Sequence, residues 1–308
     1  GFFLRYAYDN EWIGPVGQVS IGVSAGLALL VAGWKKDRQG WRIFSRMLTS
    51  GGIVVLYVST FSAFGFYHLV PQSVAAVFLA ILVAESALLA LSYDSVAIGV
   101  MAVVGGLLTP LLMHSDHDQY VSLFVYLGIL TAGSLALLAV RPWPVIGTLA
   151  LVGTQGVYWG WYVGNYHPEK LAWAMGFQAV VFALHWGQGL VSATVRREGS
   201  TWEDVARSSL NAGLTFGAML ALLEDRHSHW QSALAMLFAG VYAVTARVLI
   251  AHPERSRRML LVAVGISSGF IALAFPLEAS ASWVALGWSV QAAVLWWFGI
   301  RVEQRPLR

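Results

Sequence analysis

Residues 77–113 read VFLAILVAESALLALSYDSVAIGVMAVVGGLLTPLLM. Two apolar runs meet at Tyr93-Asp94-Ser95, and each is close to the ~20 residues that cross a ~30 Å hydrocarbon core. So short a connection forces a hairpin, and the two helices it joins must be antiparallel. The alternation of apolar run and short polar break extends in both directions. It predicts eleven spans, at 13–34, 48–67, 73–93, 95–113, 120–140, 145–164, 171–192, 208–223, 230–251, 259–276 and 282–300.

Composition points the same way. Of 308 residues, 57% are hydrophobic and 11% charged, with mean hydropathy +0.65. A soluble domain carries about 25% charge and needs it for its surface. The expected fold is therefore all-α, a polytopic integral membrane helical bundle with the lipid bilayer as its immediate partner. No cysteine is present, which excludes disulfides, thiolate zinc sites and cysteine nucleophiles. The pI of about 9.2 raises nucleic acid as a partner, and the placement of the basic residues rejects it.

Those residues sort by membrane side. Lys35, Lys36, Arg38, Arg42, Arg46, Arg141, Arg196, Arg197, Arg207, Arg247, Arg255, Arg257, Arg258, Arg301, Arg305 and Arg308 fall on one side, and only Arg5, Lys170 and Arg226 on the other. By the positive-inside rule the C-terminus is expected in the cytoplasm and the N-terminus outside. Residues 1–12, GFFLRYAYDNEW, are too short and polar to cross, and their aromatic residues suit an external interfacial segment. Without a starting Met or a signal-peptide pattern, the chain is expected to be a fragment of a longer protein.

Three segments carry a resemblance: FFLRYAYDNEWIGP at 2–15, SGGIVVLYVSTFSAFGFYHLVPQ at 50–72 and YDSVAIGVMAVVGGLLTPLLM at 93–113. The chain resembles a large bacterial family known only as predicted membrane proteins, a domain of unknown function numbered two-three-three-nine. The resemblance implies a bacterial inner-membrane location, many spans and members longer than this chain, and it implies no chemistry.

An internal repeat is also expected. KKDRQGWRIFSR at 35–46 aligns without gaps on RREGSTWEDVAR at 196–207, placing Trp41 on Trp202 and Arg46 on Arg207. At the same offset Gly52 meets Gly213 and His68 meets His229. Spans one to five then correspond to spans seven to eleven, in a parallel 5+1+5 duplication. The expected division is 13–140 for the first repeat, 141–165 for a connecting helix and 166–308 for the second repeat. The connector carries Gly153, Gly156, Gly160 and Gly164, a face without side chains on which neighbouring backbones can approach closely, as static packing or as a pivot. Gly22 and Gly26 give the first span a shorter version.

Three groups of polar residues are candidates for function. Glu85 lies about twelve residues into the third span, ~18 Å deep, where a charge costs from ~3 to more than 10 kcal/mol. It is expected to face the bundle interior, protonated or paired with Arg247 or His185, as a structural lock, a coupling residue in transport or a catalytic acid. His185 in ALHWGQGL is expected to hydrogen-bond between helices or touch a substrate, and Arg247 to snorkel from near its helix end. The third group is an external rim of His68, His114, Asp116, His117, Asp118, His167, Glu169, Glu224, Asp225, His227 and His229. It reads as ordinary loop polarity, as a divalent-metal site or as acid–base equipment.

No P-loop, G-x-S-x-G elbow or H-E-x-x-H occurs, and no cofactor is predicted. The function expected is transport or handling of a small or lipid-linked envelope solute in a polar pocket between the repeats, with Glu85 as coupling group. The alternatives are an outward-facing membrane enzyme using the rim, and a scaffold for envelope proteins or for the remainder of a longer chain. A scaffold predicts scattered rim residues and an exposed small-residue face.

Overall fold

A computed structural model describes residues 13–113, 118–195, 201–224, 227–250, 253–278, 284–285, 287–293 and 296. Among these the chain is helical, with no strand. Two compact units divide it at Asn165 and Tyr166.

The first unit holds α1 (Pro15–Arg38), α2 (Arg42–Phe61, continued by a wider turn Ser62–Phe66), α3 (Gln72–Ser92), α4 (Val96–Leu112), α5 (Tyr120–Val140) and α6 (Pro144–Asn165). The second holds α7 (Leu171–Val195), α8 (Trp202–Leu223), α9 (Gln231–Leu249) and α10 (Pro253–Glu278). Among the described residues six helical stretches are long and apolar enough to cross a membrane: Pro15–Arg38, Arg42–Phe66, Gln72–Ser92, Tyr120–Val140, Ser228–Leu249 and Arg257–Glu278. Val96–Leu112 is a shorter apolar helix. Helices α6, α7 and α8 occupy the sixth to eighth expected spans but are diluted by glycine, aromatic and polar residues, among them Gln155, Gln178, Gln188, Arg207 and Asn211. Of the eleventh expected span, residues 282, 283, 286, 294, 295 and 297–300 lie outside the described residues.

Two hairpins are closed by the same turn chemistry. At the end of α1, Gly40 takes a left-handed φ of 83°, its N–H bonds the Asp37 carbonyl at 2.9 Å, and the Trp41 N–H bonds that of Lys36 at 3.0 Å. At the end of α3, Asp94 takes φ 48°, with Asp94 N–H on the Leu91 carbonyl at 3.3 Å and Ser95 N–H on that of Ala90 at 3.0 Å. Both are Schellman caps, which satisfy carbonyls left over at a helix end. Asp94 can stand where glycine is usual because its short polar side chain tolerates the left-handed region. Arg46 on α2 completes this turn, donating to the carbonyls of Tyr93 at 2.8 Å and Asp94 at 3.3 Å, while Arg141 pairs with the Asp94 carboxylate at 3.4 Å.

Within the α1–α2 hairpin the backbones come close because glycines face small residues. Gly22 faces the Ser59 side chain, Gly33 faces Thr49, and a Cβ added to Gly52 would stand 2.9 Å from the Gly26 carbonyl oxygen. The connector α6 behaves differently from its expected close packing. Among the described residues nothing lies within 4 Å of where Gly156, Gly160 or Gly164 would carry a Cβ, while Gly153 meets Leu107. Helix α6 instead packs through Ile146, Ala150, Leu151, Thr154, Tyr158 and Trp161, which are buried, so its glycine face is left exposed.

Proline creates a further demand. Pro110 has no N–H, so the Gly106 carbonyl one turn earlier in α4 loses its helical donor. Tyr126 on α5 supplies the replacement, its hydroxyl donating to that carbonyl at 2.8 Å. In the second unit Pro276 likewise frees the Ala272 carbonyl of α10, and the indole N–H of Trp288 donates to it at 2.9 Å.

Two outcomes follow for stability, both measurable by unfolding in mixed micelles. Gly52→Ala should loosen the α1–α2 hairpin at a cost of about 1–3 kcal/mol, since a methyl must be forced against backbone. Tyr126→Phe should cost about 1–3 kcal/mol in the natural background but less than ~1 kcal/mol in Pro110→Ala, where a backbone N–H again serves Gly106.

Candidate functional site

The second unit contains a polar layer between α7, α8 and α9, and its register can be read from two bonds. Asn211 Nδ2 on α8 donates to the Phe182 carbonyl of α7 at 3.2 Å, and Arg207 Nη2 donates to Gln188 Oε1 at 3.0 Å. The helices are antiparallel, so His185, three residues from each of Phe182 and Gln188, is bracketed by these two contacts. It lies within electrostatic reach of Arg207.

Asp204 anchors the arrangement. Thr201 caps α8 and forms a capping box with Asp204: Thr201 Oγ1 accepts from the Asp204 N–H at 3.2 Å, and Asp204 Oδ2 accepts from the Thr201 N–H at 3.0 Å. The other carboxylate oxygen accepts from Arg207 Nη2 at 2.8 Å. One acid thus ties the start of the helix to the guanidinium. From α9, Tyr242 donates to the Ser208 carbonyl at 3.3 Å, and Thr245 accepts from the Trp186 indole N–H at 2.9 Å. Phe182 and Trp186 stack at 6.5 Å, and Phe238 lies 4.8 Å from Phe182.

This layer is buried and, among the described residues, incompletely bonded. His185 is 4% exposed, Arg207 3% and Asn211 1%. Yet among the described residues both ring nitrogens of His185, Nη1 of Arg207 and Oδ1 of Asn211 have no hydrogen-bond partner. Buried polar atoms are paired in the great majority of cases, and each that is not requires water, a ligand or a functional reason. His185 is ten residues from Val195, the nearer end of α7, or ~15 Å along the axis.

The other expected residues are placed as follows. Glu85 is half-buried on the flank of α3. The seam of α3 is Ala75, Leu79, Leu82, Ser86 and Ala90, while Phe78, Ile81 and Leu88, on the stripe that includes Glu85, are exposed. Glu85 makes no hydrogen bond or ion pair among the described residues. Arg247 is exposed, two residues from the end of α9. His185 is buried, and its neighbours Trp186 and Gln188 make the helix-to-helix bonds while its own nitrogens make none.

Of the rim, His114, Asp116, His117 and Asp225 lie outside the described residues. His68 is exposed with φ 50°, at the residue where the chain leaves the end of α2. Asp118 accepts from the Trp161 indole at 3.0 Å. In the second unit His167, Glu169, Glu224 and His229 are exposed and His227 is half-buried, with the His227 and His229 rings 6.4 Å apart. Among the described residues no three His, Asp or Glu side chains gather as a metal site.

Sequence reading missed Arg207 and Asn211 as site residues. Arg207 was absorbed into the basic side of the membrane, and Asn211 was not singled out. The available signal was Arg207 and Asn211 at four-residue spacing, opposite His185 and Gln188 at three-residue spacing on the preceding helix.

A family model described as Predicted membrane protein (DUF2339) matches residues 1–308. No curated protein and no solved structure matches the chain.

The bonding pattern predicts opposite responses at neighbouring positions. His185→Leu removes two unsatisfied atoms and should leave stability unchanged or raise it by up to ~2 kcal/mol, whereas Arg207→Met breaks two charge-assisted bonds and should cost about 2–4 kcal/mol. Thermal unfolding of the two variants in one detergent checks both.

Proposed function

Because the chain belongs to the predicted membrane protein family DUF2339, whose description names no reaction, we propose its function from the place where its interior chemistry is unfinished. The protein handles a small polar solute within the membrane, and the layer of His185, Arg207 and Asn211 is where that solute binds. The observation that carries this reading is the set of four buried, unpartnered atoms on three side chains of the second unit. A solely structural network would be expected to satisfy its members or dispense with them, since a half-satisfied buried network is worse than an apolar core. Translocation is the form of handling that a multi-pass bundle suits, by analogy with transporters whose sites lie between helices near mid-membrane. Glu85 is a second polar position in that process, on the flank of α3.

The proposal includes an inner-membrane protein with its C-terminus in the cytoplasm, eleven crossings and a parallel 5+1+5 repeat. The charge sorting supports the orientation. Supporting the repeat is the shared device of its fourth helices: Pro110 in α4 is compensated by Tyr126 of the next segment, and Pro276 in α10 by Trp288 of the next. The pairing of neighbours α1 with α2 and α3 with α4 has its counterpart in α7 with α8 and α9 with α10.

A second reading, a membrane scaffold, is favoured by the open glycine face of α6, where Gly156, Gly160 and Gly164 admit a close partner helix.

The absence of cysteine makes the test direct. Asn211→Cys in reconstituted vesicles should react with a small hydrophilic thiol reagent, while Thr131→Cys, equally buried but in a completed Thr131–Thr154 pair, should not. Equal protection at both positions would remove the solute reading. The scaffold reading expects that protection together with disulfide cross-linking between chains through Gly156→Cys or Gly160→Cys.

A further inference from the structure

The chemical class of the solute follows from the unused hydrogen-bonding atoms, and this step rests on the reading of the layer as a solute site. Charge decides first. Arg207 is already matched by Asp204 at 2.8 Å, so the described layer is neutral while His185 is neutral. An anion entering alone would leave one uncompensated negative charge some ~15 Å from the nearer end of α7, a strongly disfavoured arrangement in a water-poor interior. A cation would meet Arg207 with no acid left to receive it, because both Asp204 oxygens are engaged by the cap and by Arg207.

The layer can resolve this by taking a proton along with an anion. Glu203, Asp204 and Arg207 on α8, Tyr242 and Arg247 on α9, and Glu254, Arg255, Arg257, Arg258 and Glu278 on α10 are the titratable and charged groups on the helices packed against α7; Glu203 and Glu278 are exposed, and Glu254 and Arg255 belong to the first turn of α10. Asp204 has its two oxygens committed to Arg207 and to the Thr201 cap, and Tyr242 donates its hydroxyl proton to the Ser208 carbonyl. Arg247 is exposed at the end of its helix, and the arginines are fully protonated. His185 remains, a buried imidazole with both ring nitrogens unused among the described residues, and an anion beside it would offset the charge of its protonated form.

Once protonated, the imidazole has two N–H donors. Together with Arg207 Nη1, the layer then presents three nitrogens with unused donors and one unused acceptor, Asn211 Oδ1. Donors in that excess match the oxygens of an oxyanion, and the lone acceptor matches a hydroxyl on the same molecule. We infer that the site takes a small monovalent oxyanion bearing at least one O–H, together with one proton that passes from bulk water to a ring nitrogen of His185. A 2-hydroxycarboxylate and dihydrogen phosphate share this chemistry. The occupied site is then neutral, with imidazolium and guanidinium set against Asp204 and the anion.

The experiment uses the full chain in lipid nanodiscs, with calorimetric titration of lactate, propionate, inorganic phosphate and glycerol, and proton uptake followed by a dye in weak buffer. Above neutral pH lactate should bind with uptake of about one proton and phosphate, there largely the dianion, with about two, one on the anion and one on His185, and propionate, which lacks the hydroxyl, should bind about tenfold more weakly than lactate. Binding of lactate without phosphate, or the reverse, identifies the source of the shared chemistry. In His185→Gln, proton uptake with lactate should vanish while the thermal transition is retained, and Arg207→Lys should weaken anion binding without abolishing uptake.

Anion binding without proton uptake, or propionate equal to lactate, overturns the inferred class. Binding of glycerol with no anion binding also overturns it and leaves the solute reading standing. Should no probe bind and Asn211→Cys stay unreactive, both fall, and the layer is a structural network completed by water.

Discussion

A carbonyl with no donor is more costly in hydrocarbon than in water, where a solvent molecule can always take the place of a missing partner. That constraint organises this chain. Pro110 and Pro276 each release one carbonyl inside a helix, and each release is answered from the following segment, by the hydroxyl of Tyr126 and the indole of Trp288. A compensating donor must arrive at one depth and on one face, so each bond fixes the rotation and the height of one helix against another. The turns obey the same rule at the helix ends, where Gly40 and Asp94 close the carbonyls of α1 and α3 and Arg46 completes the second turn from a distance of 47 residues in sequence.

Against that background of completed bonding, the second unit stands out. The first unit pairs Tyr57 with Thr109 at 3.0 Å and Thr131 with Thr154 at 3.0 Å. Its unpartnered buried atoms include the hydroxyls of Ser45 and Thr49, small groups in the seam that α2 presents to Gly33. The second unit leaves an imidazole, part of a guanidinium and an amide oxygen unpartnered within one layer. These groups are larger and more polar, and they include a charge, so they bear a heavier desolvation penalty than two hydroxyls. Structure alone does not repay such an arrangement, which is why the functional reading is placed there and not at Glu85.

Sequence and fold agree where the physics is local. Apolar run length located α1 to α5, and the three residues Tyr93-Asp94-Ser95 foretold the hairpin that Asp94 closes. Pro110 and Pro276 were visible as interruptions, but their compensating donors were not, because a tyrosine or tryptophan in a span is ordinarily a packing residue and only tertiary structure shows which carbonyl it meets. The glycine period of α6 was equally plain, but spacing shows that a face is smooth, not what lies against it, and among the described residues only Gly153 meets a neighbour. Glu85 drew attention as an isolated charge in an apolar run. The polar layer escaped because its charge, Arg207, sits early in its helix and was counted among the basic residues of one membrane side.

The position of Arg207 also explains how such a layer can persist. A guanidinium buried without an anion would be expelled toward water, and its long side chain could reach water from the first turns of α8. Asp204 prevents this by holding two partners at once, the Thr201 cap through one oxygen and Arg207 through the other. Turning the guanidinium outward would therefore break its bonds to Asp204 and Gln188 together, and it would strip the cap acid of the cation that offsets its charge. The capping box, an ordinary device for starting a helix, here keeps a cation inside the bundle. With Nη2 committed to Asp204 and Gln188, Nη1 is the donor left over in a layer that also holds the buried His185, and the geometry of helix initiation becomes part of the geometry of the site.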